Sequence, residues 1–242
     1  MTVHRPDPDI GARVADLDWT KLATDLDAFG CATTGTLLTP AECAELAGQY
    51  RDDRRFRSRV VMARHGFGRG EYKYYDYPLP DPIAALRTAF YPKLAPIANR
   101  WETALGHTGD YPVKHGEFLD RCHAAGQTRP TPLLLTYGPG DYNCLHQDLY
   151  GDLFFPLQVA FLLSAPDKDF TGGAFVMTEQ RPRMQSRPEV VPLAQGEAVI
   201  FAVNQRPVTG SRGAYRVTMR HGVSRILGGH RMTLGVIFHD AA

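Results

Sequence analysis

The residues best suited to chemistry sit in Cys144-Leu145-His146-Gln147-Asp148-Leu149-Tyr150-Gly151-Asp152. At the end of a β-strand, His146 and Asp148 point to one face, because strand side chains alternate with period two. One imidazole and one carboxylate converging there make two thirds of a 2-His-1-carboxylate triad. That set holds non-haem Fe(II) from one side and leaves the other positions open. The third ligand must come from elsewhere, and the candidate is His221, on another strand-like segment 75 residues later. Arg231 follows after ten more residues. A guanidinium there suits the distal carboxylate of 2-oxoglutarate, whose keto acid end chelates iron, because the planar fork makes two parallel hydrogen bonds. Dioxygen takes the last position. A lone His-x-Asp pair is weak evidence in a chain with nine histidines. The order His-x-Asp, His, Arg carries the reading, with His230 and His239 as rivals to His221.

These residues need elements to hold them. From Leu133 onward the chain reads as short apolar strands between glycine and proline: Leu133 to Tyr137, Asn143 to Asp148, Leu157 to Leu163, Ala174 to Thr178, Ala198 to Val203, Tyr215 to Val223 and Met232 to His239. Strands at this spacing predict a sandwich or barrel. Before them, helices are expected over Trp19 to Phe29, after the Thr39-Pro40-Ala41-Glu42 capping signature, over Asp81 to Leu105 with a break or kink at Pro92 and Pro96, and over Glu117 to Ala125. The expectation is one α+β domain over 1–242: a mainly helical support over 1–130 and a jelly roll, or double-stranded β-helix, over 131–242.

Charge is unevenly spread beneath a net of +1. Residues 1–50 hold eight acids and three bases, residues 51–75 eight bases and three acids, and residues 181–231 nine arginines and two glutamates. Locally basic regions attract phosphates, although charge runs usually face solvent. The stretch from Arg51 to Pro80 mixes arginine, glycine and tyrosine, and is either a mobile cover over a site or a twisted hairpin with its tyrosines on the core. Its Arg59, Arg64, Tyr72 and Tyr74, with Arg183 from a later arginine cluster, are the substrate-contact candidates. Arg181, Arg183 and Arg187 either line the mouth of the site or decorate a surface loop. The scattered Cys31, Cys43, Cys122 and Cys144 argue against a zinc knuckle or a disulfide framework and read mostly as buried thiols. No run of eighteen apolar residues is present, and Met1 to Asp9 lacks the pattern of a signal peptide, so a cytoplasmic protein without a membrane partner is expected.

On these motifs the chain resembles the Fe(II)/2-oxoglutarate-dependent oxygenases, and within them the bacterial family described for oxidative repair of alkylated DNA, distantly similar to AlkB-type demethylases. The distinctive stretches are Arg129-Pro130-Thr131-Pro132-Leu133-Leu134-Leu135, Leu145-His146-Gln147-Asp148-Leu149-Tyr150-Gly151, Asp169-Phe170-Thr171-Gly172-Gly173, Glu179-Gln180-Arg181-Pro182-Arg183-Met184-Gln185-Ser186-Arg187 and Arg220-His221-Gly222-Val223-Ser224-Arg225. The resemblance implies His146, Asp148 and His221 as iron ligands. It implies Arg231 as the 2-oxoglutarate anchor, assisted by Tyr137, which reads alternatively as a core tyrosine. Thr233 stands where the AlkB type has asparagine and is taken as a third co-substrate contact. Leu135 and Ile237 replace an asparagine and a second arginine of that type, which weakens the carry-over of substrate handling.

The implied reaction couples decarboxylation of 2-oxoglutarate to hydroxylation, and a hydroxylated N-methyl group leaves as formaldehyde. Three readings stand: demethylation of alkylated nucleic acid, single-stranded or with a flipped base; hydroxylation of a small molecule or protein side chain; and a non-catalytic jelly roll that binds metal or ligand. Oligomeric state is left open.

Overall fold

The computed structural model describes residues 9–211 and 213–242; the leader reading of Met1 to Pro8 falls outside them. The first elements are set by local capping chemistry. Asp9 and Asp18 accept backbone N–H groups at the starts of α1 (Ile10–Ala15) and α2 (Trp19–Phe29), and Gly30 closes α2 in the left-handed conformation. Strand β1 (Cys31–Thr36) follows, then α3 (Pro40–Gly48), whose Thr39 and Glu42 form the expected reciprocal capping box. The basic, tyrosine-rich stretch takes the hairpin alternative, not the mobile cover: β2 (Phe56–Val61) pairs with β4 (Glu71–Tyr75), with the short β3 (Gly68–Arg69) between them in sequence. Helix α4 (Asp81–Ala104) and α5 (His115–Ala124) complete this part.

Pro92 and Pro96 do not end α4, which continues through both. The lost backbone donors are outweighed by burial of Ile83, Leu86, Phe90, Leu94, Ile97 and Trp101 along one face.

The strands then run β5 (Leu133–Tyr137), β6 (Tyr142–His146), β7 (Leu157–Leu162), β8 (Phe170–Gly172), β9 (Phe175–Gln180), β10 (Arg187–Val191), β11 (Glu197–Ala202), β12 (Gln205–Gly210), β13 (Gly213–Val223), β14 (Ile226–Gly229) and β15 (Arg231–Val236). The major sheet has the order β1-β11-β7-β15-β5-β4-β2. The second is β10-β9-β13-β6-β3, with β12 also on β13, while β14 and β8 form a separate pair. Every pairing between these strands is antiparallel among the described residues, the arrangement expected of a jelly roll. The N-terminal part therefore supplies strands as well as helices: β1 borders one side of the major sheet, and β4 with β2 the other.

Strand alternation divides the central strands between two environments. Val159 and Phe161 of β7 and Leu234 and Val236 of β15 join the core cluster that contains α4, and the Phe161 ring meets Phe90 edge-on with 6.1 Å between centroids. Their neighbours Gln158, Ala160, Thr233 and Gly235 face an internal cavity instead. Cys31, Cys43 and Cys122 are buried thiols and Cys144 is exposed. Among the described residues, no helix is long and apolar enough to cross a membrane.

The chain terminus is tied to α4 by a buried ion pair. Arg87 Nη2 lies 2.9 Å from Asp240 Oδ1 and Arg87 Nε donates to the Ile237 carbonyl at 2.8 Å. Both side chains are almost fully enclosed. Substituting Arg87→Ala removes the guanidinium from a buried carboxylate and leaves it only Tyr77 and His123, and urea unfolding of the variant is expected to show a loss of about 3 kcal/mol.

Candidate active site

His146 closes β6 and His221 lies directly opposite it on β13, so the two imidazoles leave neighbouring strands on the same face. Their ring centroids are 4.2 Å apart. The expected strand to Asp148 ends two residues early, at His146. Asp148 returns to the same side because Gln147 is pinned the other way. Its Nε2 donates to Asn204 Oδ1 at 2.6 Å and to the Met219 carbonyl at 2.8 Å, fastening the segment to β13 and to the turn before β12.

Asp148 Oδ1 is then 3.4 Å from His146 Nε2, and Oδ2 is 3.4 Å from His221 Nε2. One ligand atom from each of the three residues falls within a 4.8 Å span. His146 Nδ1 donates to the Cys144 carbonyl at 2.8 Å, which turns Nε2 toward Asp148. His221 is clamped between Phe201 and Phe175, at centroid distances of 4.5 and 5.9 Å, and its buried Nδ1 has no hydrogen-bond partner.

Electrostatics tie the three groups together. Burial works to raise the Asp148 pKa, but hydrogen bonding to His146 and His221 and their charge hold the carboxyl well below its usual range. Burial and the nearby His146 push His221 down. For His146, burial is outweighed by Asp148 and the net shift is upward. A carboxylate and two imidazole Nε2 atoms aimed at one point are a donor set for a divalent transition metal, which takes the imidazoles in their neutral form.

The trio opens on a cavity of about 290 Å³ between the sheets. Arg231, Tyr137 and Thr233 line it too, and Arg231 pairs across the sheet with Tyr137. Gly173, at a φ of 60°, clears space for the arginine, since a Cβ there would stand 3.0 Å from Arg231 Cδ. Arg231 is 2% exposed. Its Nη1 donates to Thr233 Oγ1, its Nε has no partner, and among the described residues no carboxylate pairs with it. Burial draws its pKa down to about 10, which leaves it cationic at neutral pH. A buried cation without a counter-ion is poised for an anion.

Of the substrate-contact candidates, only Tyr72 lines this cavity. Arg59 is held outside it by Glu71 and Arg64 is exposed. Tyr74 is buried against Tyr72 and Tyr150, and Arg183 occupies an exposed turn with a φ of 62°. Nor do the other arginines of the 181–187 cluster line the cavity: Arg181 and Arg187 converge with Arg206 on the buried Glu179. The rival histidines are elsewhere as well. His230 is exposed, and the buried His239 accepts the Phe155 N–H through Nδ1.

The sequence reading passed over Tyr150, Gln158 and Phe67. Tyr150 donates to Asp148 Oδ1 at 2.7 Å. Gln158 lines the cavity while 4% exposed, with an unpartnered Oε1, and Phe67 lines its rim at 48% exposure. A polar residue inside Leu157-Gln158-Val159-Ala160-Phe161-Leu162 was a readable signal for Gln158; Tyr150 follows the strand in a loop and carries none.

A family model described as "Oxygenase, catalysing oxidative methylation of damaged DNA" matches residues 70–241. Two proteins named as uncharacterized, from Mycobacterium tuberculosis strains CDC 1551 and H37Rv, are each 52% identical over 165 residues, covering 68% of this chain and 71% of the relative. The fold is similar to a Pseudomonas putida prolyl-4-hydroxylase (TM-score 0.53, 16% identity, 93% of this chain and 99% of that one). It is also similar to a 2OG-Fe(II) oxygenase family oxidoreductase from Burkholderia pseudomallei (TM-score 0.55, 15% identity, 94% and 93%).

Arg231 gives a sharp test of the anion site. Arg231→Met removes an uncompensated buried charge while keeping most of the side-chain volume. In ligand-free protein it is expected to raise urea stability by about 1–4 kcal/mol. Added dicarboxylate should raise the thermal midpoint of the wild type and leave that of the variant unmoved.

Proposed function

The chain belongs to the oxygenase family described as catalysing oxidative methylation of damaged DNA, and from that premise we propose that it is an Fe(II)- and 2-oxoglutarate-dependent dioxygenase. The observation that carries this reading is the pairing, in one cavity, of a two-histidine, one-carboxylate cluster with a buried guanidinium that has no acid beside it.

In this reading His146, Asp148 and His221 hold Fe(II). Arg231 takes the distal carboxylate of 2-oxoglutarate, with Thr233 orienting its guanidinium and the Tyr137 ring centroid 5.8 Å from its Cζ. Bound iron, keto acid and dioxygen supply the oxidising power, releasing succinate and carbon dioxide as a substrate C–H bond is hydroxylated. The protein contributes position and dryness. Leu133, Leu135 and Ala160 line the cavity with hydrocarbon, and Phe175 and Phe201 stop His221 from turning.

The substrate we favour is an N-alkylated base in single-stranded or flipped-out nucleic acid. The family description supports it, and so does the rim. Phe67 offers an exposed ring between Gly66 and Gly68, flanked by Arg64 and Arg69, which are exposed and have no acidic partner among the described residues. Aromatic stacking beside cations is the usual means of holding an unpaired base. Gln158 places a buried carboxamide, both donor and acceptor, on the cavity wall, where it can hydrogen-bond a polar edge of a base. The second reading, hydroxylation of a small molecule or protein side chain, is favoured by the internal pairing of other basic residues: Arg54, Arg59 and Lys73 with acids of their own hairpin region, and three arginines with Glu179.

Purified protein supplied with Fe(II), 2-oxoglutarate and air is expected to form succinate, and His146→Ala to form none. Arg231→Met should raise the 2-oxoglutarate KM roughly 30-fold or more, the equivalent of at least ~2 kcal/mol of lost charge pairing. A single-stranded oligonucleotide with one N-methylated base should stimulate succinate formation, release formaldehyde and bind less tightly as salt rises. No succinate from the wild type rejects the enzyme reading; succinate without any response to the oligonucleotide transfers the case to the second substrate class.

A further inference from the structure

The hydroxyl of Tyr150 touches the carboxylate that the two histidines face. It donates to Asp148 Oδ1 at 2.7 Å, the same oxygen that stands 3.4 Å from His146 Nε2, while Oδ2 stands 3.4 Å from His221 Nε2. We propose that Tyr150 is the positioning residue of the metal centre: its hydroxyl engages one oxygen of Asp148, tempers that oxygen's charge, and leaves the other as the principal metal ligand. The proposal rests on the reading of His146, Asp148 and His221 as that centre.

Three observations make Tyr150 a fixed support. Its ring meets Tyr74 edge-on at 5.9 Å and lies beside the buried His239 at 5.8 Å, so packing on two sides holds the hydroxyl in place. Tyr74 is itself anchored: the Arg57 guanidinium lies 4.6 Å from its ring centroid, and Arg57 Nε donates to the Pro130 carbonyl at 2.8 Å. Tyr74 also contacts Tyr72 edge-on at 5.3 Å. A continuous series of side chains thus runs from Arg57 in β2 through Tyr74 in β4 to Tyr150 and Asp148. The β2–β4 hairpin is built into the support of the metal ligand, a role different from direct substrate contact.

The physical reason for such a support lies in the carboxylate. An ionised Asp offers four lone-pair directions, and a metal can take it through one oxygen or two. An O–H donor on one oxygen makes the two inequivalent and restrains rotation about the terminal bond. Hydrogen bonds to metal-ligating carboxylates from outside the ligand set commonly change metal affinity by 10–100-fold when removed.

The test uses the full chain freed of metal and titrated with Mn(II) and Co(II) alone. Tyr150→Phe keeps the ring packing and deletes only the hydroxyl. It is expected to weaken binding about 10–100-fold and to change the energy and intensity of the Co(II) visible bands. Tyr111→Phe is the control for losing a tyrosine hydrogen bond elsewhere, since Tyr111 donates to the Phe154 carbonyl at 2.9 Å, remote from the trio; it should match the wild type. If Tyr150→Phe proves poorly folded by circular dichroism, 3-fluorotyrosine at position 150 keeps the hydroxyl, makes it more acidic, and should still shift the Co(II) bands. Wild-type affinity and an unchanged spectrum in a folded Tyr150→Phe variant, or an unchanged spectrum with 3-fluorotyrosine, overturn the proposal. Failure of the wild type to bind either metal overturns the metal centre itself.

Discussion

Arg231 carries a full positive charge almost entirely out of water with no carboxylate beside it among the described residues, and the surrounding architecture is what makes that tolerable. Left alone, such a group is among the costliest features a core can contain. It persists because β15 is central in a seven-stranded sheet, hydrogen-bonded on both sides by β5 and β7, and because its other face is packed under α4. The stability surrendered at the cavity is offset by dense burial behind it. The same alternation that sends Leu234 and Val236 to the helix sends Arg231, Thr233 and Gly235 to the cavity.

The second sheet supplies the complementary half. Registry between β6 and β13 sets His146 opposite His221, and Gln147 turns the following residue back so that Asp148 completes the cluster. The cation belongs to one sheet and the two-histidine, one-carboxylate cluster to the other. In the proposed reading, a dianion held at both ends between them requires the sheets to keep their spacing. The aromatic residues around His221 and the helices behind the major sheet maintain it.

Charge in this protein is largely consumed internally. The basic excess over residues 51–75 looked like a patch for phosphate, yet Arg59 pairs with Glu71, Lys73 with Asp53, and Arg57 lies over Tyr74. Likewise, Glu179 gathers Arg181, Arg187 and Arg206, and Arg206 also binds the carbonyls of Asp27 and Ala28 at the end of α2. Counting charges along the chain could not separate these from Arg64 and Arg69, because the partners are distant in sequence or on neighbouring strands. Arg64 and Arg69, which flank the exposed Phe67, have no acidic partner among the described residues.

The clustering of His146, Asp148 and His221 beside Arg231 was legible in the sequence because it depends on residue types in a fixed order, and strand alternation carries much of the geometry. The capping box at Thr39 and the apolar strands from Leu133 onward were legible for a similar local reason. Tertiary structure alone decided the rest. Burial kept α4 whole across two prolines, and sheet pairing turned the arginine- and tyrosine-rich stretch into an edge hairpin. Packing against Tyr74 and His239 fixed the Tyr150 ring so that its hydroxyl meets Asp148, two residues back, and sheet packing left Gln158 Oε1 without a partner beside the cavity. Those outcomes depend on which side chains meet across the fold, and a one-dimensional pattern contains no term for such meetings.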